Sequence, residues 1–305
     1  MARLLKRKRG IGFVAPSGQV LDTGELDRAI DYFASRGYRV VCPQAVRRSH
    51  QRFAGSDAQR LQALHTMLAR PEVDVVMAVR GGYGLSRLLD QIDYTHLAAS
   101  GKTIVGHSDF TAFNAAAYAQ ARLVTWCGPT ACYDFGAGTV SPFTEAHFFS
   151  LLEHPSHRVE VQAQNPYRDA WNGRLWGGNL SLIAHLAGTP YLPRIKGGIL
   201  FVEDISEHPY RIERMMYQLL HAGVLARQKA LILGDFSNYR LGENDNGYDF
   251  AAMVAHLRTR LPIPVITGLP FGHCRDKLTL PFGGWVDLEV QKSAFSMTFS
   301  RYQVR

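Results

Sequence analysis

Thr103-Ile104-Val105-Gly106-His107-Ser108-Asp109-Phe110, followed by Thr111-Ala112-Phe113-Asn114-Ala115-Ala116-Ala117-Tyr118-Ala119, reads as a short apolar strand, a tight turn and a buried helix of small and aromatic residues. Ser108 then sits on the strand-to-helix turn, with its hydroxyl pushed out of the sheet edge. The first free backbone N–H groups of the helix point at any oxyanion that forms nearby. That geometry suits a nucleophile. It equally suits a helix cap, because Ser and Asp are preferred where those N–H groups need an acceptor.

Outward from this turn the chain keeps one rhythm. Ile11 to Ala15 reads as a first buried strand ending at the turn Pro16-Ser17-Gly18. A helix follows over Glu25 to Arg36, closed by Gly37, and then a strand over Tyr38 to Cys42. Asp57 to Leu68 gives the next helix, and Val73 to Val79 an almost wholly apolar strand of the kind covered on both faces. This is the βαβ alternation of a parallel sheet with covering helices. The strand runs into Arg80-Gly81-Gly82-Tyr83-Gly84, with a further helix expected near Leu85 to Leu89. Three glycines at a strand's carboxyl end permit positive φ and close approach to a ligand, and their N–H groups can form an anion-binding nest. The loop lacks the G-x-G-x-x-G spacing of a dinucleotide site, and no G-x-x-x-x-G-K-[ST] phosphate loop occurs.

Leu123 to Trp126 reads as another strand and Glu145 to Leu152 as another helix. The character of the chain changes after His154-Pro155-Ser156-His157, so two domains are expected, 1–155 and 156–305. In the second, Trp176-Gly177-Gly178-Asn179 lies among turns before an apolar helix over Leu180 to Leu186. Strands are expected over 198–202, 230–235 and 265–267, helices over 211–220 and 251–261, and antiparallel strands from Leu278 onward.

The formal charge of +8 is concentrated locally, in Lys6-Arg7-Lys8-Arg9 and in Arg47, Arg48 and Arg52. Neither cluster is interleaved with aromatics along a repeated stripe, which argues against a nucleic-acid partner. No signal-peptide h-region follows the N-terminal residues and no stretch has the length to span a bilayer, so no membrane role and a cytoplasmic location are expected. Cys42, Cys127, Cys132 and Cys274 form no CxxC pair, which argues for reduced thiols and against a zinc site.

Three chemistry-bearing residues fall just beyond strand carboxyl ends, Ser108, Glu203 and His273, at the edge where open α/β sheets bind ligands. A serine needs an imidazole to take its proton, and the imidazole needs a carboxylate to fix its tautomer. Each residue has a plainer assignment. Glu203 could pair with Arg211 or Arg214, and His208 rivals His273 as the base. The order Ser, Glu, His matches an α/β-hydrolase, but Gly106-His107-Ser108-Asp109-Phe110 lacks the final glycine of the G-x-S-x-G elbow.

Together, Arg80-Gly81-Gly82-Tyr83-Gly84, Gly106-His107-Ser108-Asp109, Leu175-Trp176-Gly177-Gly178-Asn179-Leu180, Val202-Glu203-Asp204-Ile205 and Thr267-Gly268-Leu269-Pro270-Phe271-Gly272-His273 resemble the LD-carboxypeptidase family of serine peptidases, in that family's order. The resemblance implies an α/β fold: an N-terminal doubly wound, mostly parallel sheet of Rossmann or flavodoxin-like type, and a smaller C-terminal α/β domain of mixed strands. It implies a nucleophile at Ser108, a general base at His273, a supporting carboxylate at Glu203, and an oxyanion hole from the backbone N–H groups of Gly82 and Asp109. The Asp109 side chain is expected to cap the helix. No metal or cofactor is implied, and a homodimer is. The implied reaction releases the terminal D-alanine of a small peptide substrate, the murein tetrapeptide, by cleaving its bond to meso-diaminopimelate. The net positive charge would assist capture of that carboxylate-bearing peptide. Two other readings share these motifs: a microcin-immunity-type peptidase cleaving acyl-nucleotide toxins, and a non-catalytic ligand-binding protein.

Overall fold

The computed structural model describes residues 8–304, so Lys6 and Arg7 of the basic run lie outside it. Two sheets are formed. In the first, β1 (Gly10–Val14), β2 (Arg39–Val41), β3 (Val75–Ala78), β4 (Thr103–Gly106) and β5 (Thr125–Cys127) lie parallel in the order 2-1-3-4-5. This is the flavodoxin-like order, with its switch point between β1 and β3. Every residue of β1, β3 and β4 is buried, which is why these strands read as apolar runs and not as alternating ones. Helices α1 (Thr23–Ser35) and α2 (Asp57–Leu68) cover the sheet, each started by a side-chain cap: Asp22 accepts from Gly24 N at 2.8 Å, and Ser56 and Gln59 form a capping box.

Helix α3 (Tyr94–Ala99) was not anticipated, and the helix expected near Leu85 is one 3₁₀ turn over Leu85–Arg87. Asp93 caps α3 through His96 N, a cap signal visible in the sequence but attached to only six residues of helix. Helix α4 (Phe110–Ala121), which follows the Ser108 turn, is buried from Phe110 through Tyr118. It lies between the two sheets, so it carries no polar face.

After α5 (Pro142–Glu153) the second sheet is built from β6 (His157–Gln162), β7 (Asp169–Asn179), β8 (Gly198–Ile205), β9 (Gln228–Ser237) and β10 (Val265–Thr267), with helices α6 (Leu180–His185), α7 (Pro209–His221) and α8 (Phe250–Arg260). Strands β7, β8, β9 and β10 are parallel. On the other side of β7, β12 (Trp285–Val290), β13 (Ala294–Ser300) and β6 continue antiparallel. Gly177 and Gly178, expected among turns, form the end of the eleven-residue β7. Both have positive φ, and a side chain on Gly178 would strike Thr111 of α4. Asn179 N donates to Thr111 Oγ1 at 2.9 Å, fastening β7 to the helix behind Ser108.

One segment ties the sheets together. Residues 268–279 leave β10 in the second sheet and enter β11 (Leu280–Phe282), which pairs antiparallel with β5 in the first. The segment is anchored on the N-terminal half. Lys277, fully buried, forms an ion pair with Asp134 at 3.0 Å, and Asp134 also accepts from Thr130 N at 2.7 Å. Ser141 Oγ donates to Asp276 at 2.5 Å, and Thr144 Oγ1 donates to Arg275 O and accepts from Lys277 N. His107 packs beneath the segment, its ring 5.2 Å from Phe271 and 4.7 Å from His273. Burial, then the positive charge of Lys277 and the neighbouring His273 ring, hold the His107 imidazole well below its ordinary value of 6.5.

Lys277→Met leaves Asp134 buried without its cation and is expected to lower the unfolding free energy by about 3–5 kcal/mol in urea titration. A loss below about 1 kcal/mol, the worth of an exposed pair, would show that the ion pair does not hold the segment. A second expectation concerns pH. Below about 6.5 the unfolded chain protonates His107 and the folded chain does not, so stability falls as pH falls, by up to about 1.4 kcal/mol per pH unit. His65, His147 and His157 are lowered by burial too and add to the wild-type slope. His107→Phe should therefore make stability between pH 7 and 5 less steep without flattening it; an unchanged slope would refute the neutral His107.

Candidate active site

Ser108 follows β4 with φ of +63°, a left-handed conformation unusual for a residue other than glycine. Holding it there costs about 1–3 kcal/mol, which the surrounding packing must offset. Phe110 folds back on Gly106, where a Cβ would lie 2.3 Å from the ring. From the other side Gly81 approaches so closely that a Cβ would lie 2.7 Å from Ser108 Cβ. Gly82 has φ of +108° and rests against Gly18 of the turn after β1. The two loops also join through a hydrogen bond from Gly18 N to Gly81 O at 3.2 Å. Among the described residues, the N–H groups of Gly82 and Asp109 donate to no protein acceptor.

The carboxyl ends of β4, β8 and β10 bring the three sequence candidates together. His273 Nε2 lies 3.1 Å from Ser108 Oγ, and His273 Nδ1 lies 2.8 Å from Glu203 Oε2. Glu203 is fully buried. Burial pushes its carboxyl above the ordinary range, opposed first by the hydrogen bond to His273. The neighbouring Asp204 faces the other side of β8 and does different work. It accepts from Asn179 Nδ2 at 2.9 Å, and from Ser181 N and Oγ at 2.8 and 2.7 Å. That carboxylate fixes the joint between β7 and α6.

The plainer assignments go elsewhere. Arg211 pairs with Glu207 at 2.6 Å, and His208 with Asp245 at 3.1 Å. The expected cap is corrected: the Asp109 side chain makes no capping bond to α4. Its Oδ2 accepts from Leu85 N at 3.0 Å, so Asp109 instead starts the 3₁₀ turn that closes the glycine loop. The turn at Ser108 leaves the backbone of Asp109 already near-helical, with φ −51° and ψ −26°, outside the extended geometry a cap side chain uses. His107 was not singled out from the sequence; its burial beside His273 depends on the crossing segment, which has no local signal.

Nitrogens of His107 and His273 and an oxygen of Glu203 lie within 4.8 Å of one another, the donor cluster that could hold a metal among the described residues. The Lys277 charge beside His107 opposes a cation there. The arrangement suits proton transfer from a hydroxyl to an imidazole held by a carboxylate, beside two free N–H donors.

The N-terminal domain model of the LD-carboxypeptidases matches residues 11–128, and the C-terminal domain model of the same family matches residues 172–288. The crystal structure of muramoyltetrapeptide carboxypeptidase from Oxalobacter formigenes is 47% identical, superimposes with a TM-score of 0.92, and covers 97% of this chain and 100% of its own. A probable murein peptide carboxypeptidase of Bacillus subtilis (strain 168) is 30% identical over 285 residues, 92% of this chain and 89% of that protein. The murein tetrapeptide carboxypeptidase of Pseudomonas aeruginosa is 28% identical over 289 residues, 92% of each chain. With both domain models matched in order and the similarity running nearly end to end, the chain belongs to the LD-carboxypeptidase family of serine peptidases.

Proposed function

We propose that this chain releases the terminal D-alanine of murein tetrapeptides by hydrolysing its bond to meso-diaminopimelate, with Ser108, His273 and Glu203 as the catalytic residues. The observation that carries the reading is the unbroken chain Ser108 Oγ, His273, Glu203, with contacts of 3.1 and 2.8 Å, in a member of this peptidase family.

Ser108 Oγ attacks the scissile carbonyl while His273 Nε2 takes its proton. Glu203 holds Nδ1–H, so the nitrogen facing the serine is the one with the free lone pair. It then faces the positive charge that develops on the ring. The carbonyl oxygen gains charge beside the N–H groups of Gly82 and Asp109, neither of which donates to a protein acceptor among the described residues. His273 passes its proton to the departing D-alanine nitrogen. Water, deprotonated by the same ring, then releases the acyl group from Ser108. No step requires a metal or cofactor. The reading includes a homodimer and a cytoplasmic setting; the four cysteines are free, and among the described residues no helix is long and apolar enough to cross a membrane.

Mass spectrometry of murein tri-, tetra- and pentapeptides incubated with the protein tests the substrate, with an aspartyl acyl-nucleotide as the competing one. D-Alanine release from tetrapeptide is expected, and turnover of the acyl-nucleotide alone would overturn the assignment. Ser108→Ala should lower kcat by about 10⁴-fold or more with the fold retained. Glu203→Gln should cost on the order of 10⁴-fold, because the amide no longer stabilises the charged ring. His208→Asn should leave the rate near wild type, and a comparable loss there would move the base away from His273.

A further inference from the structure

Two cations at the glycine loop, Arg80 on it and Arg52 facing it from the turn before α2, are not used by the chemistry above. Arg80 and Arg52 line a cleft of about 190 Å³ together with Gly18, Gln19, Gly82 and Tyr83. The cleft opens at the switch point between β1 and β3, the crevice where open α/β sheets of this strand order bind ligands. One of its walls is Gly82, whose N–H is a candidate oxyanion donor.

Several arginines near this cleft are paired with acids. Arg60 and Arg87 both pair with Asp57, at 2.5 and 2.8 Å, and Arg47 pairs with Asp27. Arg80 and Arg52 pair with no carboxylate among the described residues. Arg80 Nη1 donates to Gln19 O at 2.9 Å, which braces the guanidinium across the loop, and Nη2 comes 4.0 Å from the position a Gly82 Cβ would take. Arg52 stands at the rim with its guanidinium 5.8 Å from the exposed Tyr83 ring. A braced guanidinium backed by a second, with no anion of the protein's own, is suited to a planar carboxylate.

We propose that Arg80, assisted by Arg52, binds the terminal carboxylate of the leaving residue and so confines cleavage to the last peptide bond; the inference rests on the peptidase reading. In a peptide that carboxylate lies within about 4 Å of the scissile carbonyl carbon. A cation that recognises it must therefore stand within one residue of the oxyanion donors, as the one in this cleft does. An internal peptide bond has no charge to offer at that position, and the unpaired guanidinium disfavours a neutral occupant.

Binding is the test, so that it stands apart from turnover. In Ser108→Ala protein, isothermal titration compares murein tetrapeptide with the same peptide ending in D-alaninamide. The amide should bind about 10- to 100-fold more weakly, since the half-buried Arg80 guanidinium loses a charge-assisted hydrogen-bond partner. Adding Arg80→Gln should erase that preference, Arg80→Lys should keep part of it, and Arg52→Gln should reduce it about 10-fold. Equal binding of acid and amide overturns the proposal, as does a preference that survives Arg80→Gln. An Arg80→Gln protein that weakens both ligands equally also overturns it, because that result marks a brace and not a subsite. Wild-type protein that shows the acid preference yet releases no D-alanine would instead sink the peptidase reading and leave the subsite in place.

Discussion

The buried ion pair between Lys277 and Asp134 holds down the segment on which the site depends. His273 belongs by sequence to the second sheet, two strands along from Glu203 through β9, while Ser108 belongs to the first. Nothing in either sheet alone would set the 3.1 Å contact between them. The segment that carries His273 is pinned at its start by hydrogen bonds with β9, Asp235 N donating to Phe271 O and Leu269 N to Leu233 O, and at its end by Lys277, Thr144 and β11. A charge pair is a costly anchor, because both ions must be stripped of water. Its strength lies in being intolerant of separation: moving the segment by an ångström or two would leave both ions buried and unpaired.

The same logic governs the turn at Ser108. A left-handed serine is not a conformation the local sequence prefers, and it persists because its neighbours leave no alternative. Phe110 occupies the space over Gly106, Gly81 closes the other side, and α4 is buried too deeply to unwind a turn. Asp109 extends the constraint to the glycine loop through Leu85 N. The nucleophile and the loop bearing Gly82 are thus a single rigid unit, which electrostatic stabilisation of a developing oxyanion requires.

Much of this was legible in the residues. The apolar strands, the βαβ rhythm and the strand-end positions of Ser108, Glu203 and His273 follow from periodicity and from where open sheets place their chemistry. What escaped has a common cause. β7 ends in Gly177-Gly178 because Phe201 and Thr111 crowd it, so glycines that read as a turn are a strand under close approach. The expected helix after the glycine loop is a single 3₁₀ turn over Leu85–Arg87, and the acceptor that starts it is Asp109, twenty-four residues away in sequence. β11 follows no rule of local pattern at all; its three residues read as part of a C-terminal meander, and only pairing with β5 assigns them to the first sheet. In each case a tertiary partner decided what the local signal could not.

Glu203 and Asp204 show how finely the division of labour is drawn. Adjacent residues on a strand face opposite sides, so two neighbouring carboxylates enter two separate environments. Asp204 meets four donors, from Asn179, Ser181 N and Oγ, and Ile205 N, a fully satisfied structural acceptor. Glu203 meets one ring nitrogen, and its Oε1 makes no hydrogen bond. Burial raises the free energy of its charged form, and the imidazole beside it opposes this most strongly, ahead of the Asn179 amide. A carboxylate supplied with donors on every side would gain little as His273 becomes positive. One left short of donors gains most at that moment, and β8 keeps the short-handed carboxylate on the side facing Ser108.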